Sequence, residues 1–256
     1  MIPATLDKTE RPLVYCGDLI PKVWSGAKDI TRRLMRPQPD QWLRAMLQGG
    51  FRSMHDLGDG RWAAMIGPGM EKSCRPQDIF KCPYGRKGDR LWVQESFRVL
   101  RLPTTRPWHV RLEYKADGAF SGLLTIPESH RHMPTALEKN RGKWYTGRFM
   151  PRWASRGDLE IVDIRPEWLG DITAADVPRE GVDLPVVDGR LALPIGKRFS
   201  YTDYPKDFPP EVRMFAALWD SINHKRSPWT QNDMVWRIVS RLATGNGENQ
   251  RKEATA

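Results

Sequence analysis

The run Lys28, Asp29, Ile30, Thr31, Arg32, Arg33 holds residue types suited to moving a proton beside a hydroxyl. Lys28 and Thr31 stand at i and i+3, and on a helix they share one face. A lysine held near apolar surroundings or another cation loses pKa and can take a proton. A neighbouring threonine hydroxyl then serves as nucleophile or orients a water. The two arginines could steady an oxyanion or a phosphate. The same residues also describe a solvated basic turn at a helix end, and spacing alone leaves both readings open.

A second group lies in MPRWASR, where Arg152, Trp153, Ser155 and Arg156 combine an aromatic face with guanidinium groups. Such a set can stack a base and meet phosphate or a base edge. It can equally be a core tryptophan between arginines that pair carboxylates. Glu95, after LWVQ, either points into the same cleft or pairs with Arg32 or Arg33. Cys16, Cys74 and Cys82 form no CxxC pair, so neither a disulfide framework nor a four-ligand zinc site is suggested. His130 and His132 in SHRHM have no Cys or carboxylate at a complementary spacing. No metal and no cofactor are expected.

The elements that would position these groups can be read in order. LVYCGDLIPKVWSG is a short strand or turn leading into a helix, and Pro37 and Pro39 stop the helix that carries KDITRR. QWLRAMLQ and GRWAAM read as a short helix and a strand. Gly85 and Gly88 turn the chain into an extended run through Leu91, Val93 and Phe97, and VRLEYKA and AFSGLLTI follow as short strands. GDLEIVDIR is a strand expected to end at Pro166, and Thr173 caps a short helix that Gly181 terminates. Val212, Phe215, Ala216 and Trp219 recur at helical spacing, and MVWRIVSRL is a closing strand that makes Trp236, like Trp219, core. Cys82 is expected to be buried packing beside a turn.

The chain has 256 residues and 39% apolar content, enough for one elaborated domain with a core. No apolar run approaches the roughly 18 to 20 residues needed to cross a bilayer, and MIPATLDKTERP lacks an apolar signal core, so a cytoplasmic protein is expected. The net charge of +10 favours polyanionic partners, since clustered Lys and Arg displace counterions from phosphates. That charge is expected to gather around a cleft mouth holding Arg32, Arg33, Arg152 and Arg156.

Five blocks, in order, resemble one family. SGAKDITRRLMRPQP resembles the opening ASCH motif, CPYGRKGDRLWVQESF its next strand, and FMPRWASRGDLEIVDIRPEWLGDITAADVPREGV its central block. LWDSIN and WTQNDMVWRIV resemble its closing helix and strand. The pattern is most similar to the long phage and prophage branch. The resemblance implies an α+β fold, a closed or partly open PUA-like β-barrel with flanking helices. One domain then spans 1–242 with insertions near 101–145 and 183–210, followed by a disordered tail, 243–256.

Among shorter ASCH proteins, an N4-acetylcytidine amidohydrolase is similar in using a Lys and a Thr three residues apart with a later Glu. Carried onto this chain, that implies Lys28 as general base, Thr31 as nucleophile or water positioner, and Glu180 as proton donor or polariser of the base. The partner implied is a nucleoside or nucleic acid, RNA ahead of DNA. A non-catalytic binding module and a phage accessory or morphogenesis role stay open beside it.

Overall fold

The structure, a computed structural model, describes residues 9–66, 74–101, 108–131, 139–182, 186–187, 190–191 and 201–243. His132, residues 183–185, 188–189 and 192–200 of the expected insertion near 183–210, and the tail from 244 onward lie outside them. The strands are β1 (Glu10–Val14), β2 (Ile30–Leu34), β3 (Ser53–Asp56), β4 (Arg61–Met65), β5 (Ile79–Lys81), β6 (Arg90–Gln94) and β7 (Phe97–Arg101). They continue with β8 (His109–Tyr114), β9 (Leu124–Thr125), β10 (Trp144–Tyr145), β11 (Asp158–Trp168), β12 (Val186–Val187), β13 (Arg190–Leu191) and β14 (Met234–Leu242). The α-helices that lie wholly within the described residues are α1 (Ile20–Ser25), α2 (Gln41–Gln48), α3 (Asp176–Arg179) and α4 (Pro210–Asn223). The fold is therefore α+β with several sheets and few helices, and no closed barrel is found among the described residues.

The chain divides into two compact units. The first takes Met1–Gly26, Gly88–Ile161 and Arg241–Ala256. In it β1 lies parallel to β6, and the start of β11 pairs antiparallel with β6. A second sheet in the order β10-β7-β8-β9 is built largely from the segment read as an insertion. Its inner face, with Phe97, Val99, Val110, Leu112 and Tyr114, packs with Ile126, Met150 and Ala154 into one core. The alternation along β8, buried at Val110, Leu112 and Tyr114, follows from the two-residue period of a strand with one wet face.

The second unit takes Ala27–Lys87 and Val162–Ser240. Within it β2 pairs antiparallel with β14, Thr31 opposite Ile238 and Arg33 opposite Trp236, while β3, β4 and β5 form a separate antiparallel sheet. Helix α4 buries Val212, Phe215, Ala216 and Trp219, the stripe expected from its spacing. That stripe packs with Leu169, Val177, Trp229 and Val235. Asp220 is buried on the same helix and accepts hydrogen bonds from the Tyr204 hydroxyl and the Trp229 N–H, each at 2.7 Å. Trp236 and Cys82 are core, as expected.

Two expectations need correction. No helix carries KDITRR. Helix α1 ends at Ser25, because Gly26 takes a left-handed conformation, φ 77°, that closes it with an N–H to the Val23 carbonyl. Beyond it the β-branched Ile30 and Thr31 enter β2. Nor does β11 stop at Pro166. It runs to Trp168, since the fixed φ of proline is compatible with extended backbone.

Candidate functional site

The turn that carries Lys28 is fixed from both sides within the second unit. The Asp29 N–H donates to the Arg179 carbonyl at 3.1 Å, and the Asp29 carbonyl accepts from the Ser240 N–H at 2.8 Å. The Arg179 guanidinium forks onto the Asp29 carboxylate at 2.9 and 2.6 Å. These bonds bring the turn against the end of α3. There Glu180 is the last residue before Gly181, whose φ of 79° ends the helix where the sequence places its stop.

Lys28 and Glu180 consequently meet. The Lys28 ammonium donates to Glu180 Oε2 at 2.9 Å, to the Glu180 carbonyl at 2.6 Å and to the Ile30 carbonyl at 2.8 Å. Both residues are 5% exposed. Burial pushes the Lys28 pKa down, the Glu180 carboxylate pulls it back up, and the charges of Arg33 and Arg32 push it down again; the net direction is downward. Three acceptors hold the ammonium, and burial makes its proton easier to remove than that of an exposed lysine. Thr31 is buried on β2. Strand alternation sends Thr31 and Arg33 to one face and Ile30 and Arg32 to the other, so the shared helical face proposed for Lys28 and Thr31 does not exist.

Arg32 has a different role from the one its position suggested. Its side chain has no solvent exposure, and it donates from Nε to Glu167 at 2.7 Å, from Nη2 to Asp176 at 2.7 Å and from Nη1 to Glu180 at 3.0 Å. Arg237 adds a bond to Asp176 at 3.1 Å. Burial pushes the Asp176 carboxyl up, but the hydrogen bonds from Arg32 and Arg237 outweigh it and hold the group below the usual range. Glu167 goes the other way, because burial outweighs its arginine partners. Arg32 is the centre of an internal ion network and contributes nothing to a basic cleft mouth.

Glu167, Asp176 and Arg237 escaped sequence reading, yet two signals were present. Asp176 and Glu180 stand at i and i+4, the spacing that aims two carboxylates at one cation. Arg237 interrupts the apolar run of β14, and an arginine there demands a buried partner.

Arg33 lies on β2 on the same face as Thr31, and Glu95, Arg152, Trp153, Ser155 and Arg156 belong to the first unit, where the two arginines pair with carboxylates. Arg156 forks onto Glu95 at 2.7 and 2.9 Å, reaches Asp117 at 2.8 Å, and lies 4.5 Å over the Tyr114 ring and 5.4 Å over Trp24. Glu95 is 1% exposed, and its partner is Arg156 rather than Arg32 or Arg33. Burial raises its pKa against that pairing. Arg152 bridges Glu10 at 2.9 Å and Asp158 at 2.7 Å. The Ser155 hydroxyl donates to the Val93 carbonyl at 2.8 Å, and Trp153 packs against the core of this unit. No group of His, Cys, Asp and Glu that could hold a metal occurs among the described residues, and no described helix is long and apolar enough to cross a membrane. Compared with protein-family models, curated proteins and solved structures, the chain matches none.

Proposed function

We propose that this chain is a PUA-like protein of the ASCH family that hydrolyses the amide of an acylated nucleobase such as N4-acetylcytidine. The observation that carries the reading is the Lys28–Glu180 contact. It joins residues 152 apart in sequence, which the resemblance alone had paired. The five ordered sequence blocks support the family, and the α+β architecture is compatible with a partly open form of its barrel.

In the proposed reaction Lys28 passes its proton to Glu180 and accepts one from the attacking water; Thr31, on the face of β2 opposite Arg32, takes no part in that transfer. The attacking oxygen bonds to the acyl carbon, the carbon–nitrogen bond breaks, and the Glu180 carboxyl protonates the leaving amine. Burial serves this chemistry by lowering the Lys28 pKa. The test is incubation of the purified protein with N4-acetylcytidine and detection of cytidine by mass spectrometry. Lys28→Arg, which keeps its proton across the working pH range, should lower turnover by orders of magnitude. Undiminished turnover in that variant removes Lys28 as the base.

A second reading, a non-catalytic nucleic-acid-binding module, is favoured by one observation: Lys28 has three acceptors and Arg32 three carboxylates, as in a static scaffold. Absence of turnover by the unmodified protein on any acylated nucleoside selects it.

A further inference from the structure

The outward face of the β10-β7-β8-β9 sheet lies in the stretch that resembles no family block, and there one ion pair, Arg98–Glu113, stands among further cations and an exposed tryptophan. Cross-strand partners share a face, so the register places Arg98 beside Trp144 on one side and Glu113 on the other. Trp144 is 39% exposed. The Arg98 guanidinium sits 4.7 Å from its ring centroid and the Lys115 ammonium 5.7 Å. Glu113 accepts from Arg98 Nε at 2.7 Å, which holds the guanidinium over the indole ring, so an incoming base stacks on the Arg98–Trp144 pair or displaces the guanidinium from it. Arg111 occupies the next outward position on β8 and is exposed. An open groove of about 530 Å³ adjoins them, lined by Arg98, Val99, Leu100, Arg141 and Gly142.

We infer that this face binds single-stranded nucleic acid, with a base stacked on the Arg98–Trp144 pair and the phosphates along Arg111, Lys115 and Arg141. Charge complementarity identifies the occupant. Among the described residues of β7 and β8, Arg98 and Arg111, with Lys115 just beyond, share the outward face with one carboxylate, Glu113, which Arg98 already engages. A tryptophan flanked by cations suits a flat, neutral base attached to an anionic backbone. A duplex offers the phosphates but keeps its bases stacked, so the face should prefer single strands. The inference goes beyond the proposed reaction and does not depend on it, because no residue of the Lys28 cluster takes part.

The test uses the full chain and fluorescein-labelled dodecauridylate, with binding followed by anisotropy at several salt concentrations. A 12-base-pair RNA duplex is the second probe. Trp144→Ala should weaken single-strand binding about tenfold or more, and Trp144→Phe should retain most of it. Arg111→Glu should weaken binding and reduce the slope of log affinity against log salt by about 0.7 for each phosphate left without its cation. Equal affinity in Trp144→Ala, equal affinity for the duplex, or no binding by the unmodified protein would each overturn the inference.

Discussion

Arg32→Leu is the perturbation that separates a structural from a substrate-contacting arginine most sharply. The change removes hydrogen bonds to Glu167, Asp176 and Glu180, whose side chains are only 10%, 13% and 6% exposed. Deleting one partner of a buried ion pair costs about 3–5 kcal/mol, because the surviving charge is left desolvated. Here the survivors are not equally stranded. Glu180 keeps Lys28 at 2.9 Å and Asp176 keeps Arg237 at 3.1 Å, but Glu167 retains only Arg165 at 3.7 Å and Arg237 at 3.8 Å. One carboxylate is therefore left poorly paired, and the loss should fall near the lower end, about 3 kcal/mol. That is a large part of the roughly 5–15 kcal/mol typical of a domain. Arg32→Lys, a point charge in place of a planar fork, should lose less.

The assay is hydrogen exchange at the amides of β2 and of residues 234–240 of β14, which belong to the second unit, together with urea unfolding of the full chain. Protection of those amides should fall by roughly two powers of ten, about 1.4 kcal/mol each. A loss below about 1 kcal/mol, accompanied by weakened nucleoside or nucleic-acid binding, would refute the reasoning and return Arg32 to the binding surface.

Acid stability and the packing around Trp24 provide two more tests. The Asp176 pKa is held below its ordinary value by Arg32 and Arg237, so its contribution to stability is complete above the unfolded pKa and is lost as pH falls through the folded one. Asp176→Asn should flatten the fall of the urea midpoint below roughly pH 4, and an unchanged acid limb would remove Asp176 from the network. Gly157→Ala places a methyl 2.7 Å from the Trp24 ring, so the indole must shift from beneath Arg156. A destabilisation of about 1–3 kcal/mol with altered tryptophan fluorescence is expected; an unperturbed variant would show that the packing there is slack.

The elements were legible where a local period governs them. Helix α4 follows from four apolar residues at helical spacing, β14 from an apolar β-rich run, and the end of α3 from Gly181. The sequence was misleading where local and long-range preferences compete. KDITRR holds charged residues compatible with a helix, but Gly26 stops the preceding helix and pairing with β14 makes the run extended. Least legible were the arginine partners. Those of Arg32 lie 135 to 148 residues away and that of Arg156 in Glu95 lies 61 away, so no spacing rule reaches them. The pairing of Lys28 with Glu180 came from resemblance, and no local pattern contains it.

A formal charge of +10 counts every arginine alike, but the field outside a protein is set by cations that no nearby carboxylate neutralises. Arg32 meets three carboxylates, Arg156 two and Arg152 two, so these arginines, which the motifs singled out, have their charge largely cancelled. Arg156 shows why such a segment misleads: its fork takes Glu95 and Asp117 and lies over the Trp24 and Tyr114 rings, the same carboxylate and flat neighbour that a base-binding site would present. The outward face carrying Arg98, Arg111, Lys115 and Trp144 forms no recognisable motif, because its residues are spread over three strands and a two-residue period dilutes them among core positions. A polyanion senses excess charge and exposed ring surface rather than motif density. On both counts the β10-β7-β8-β9 sheet is the better place on this unit to look for it than the MPRWASR segment.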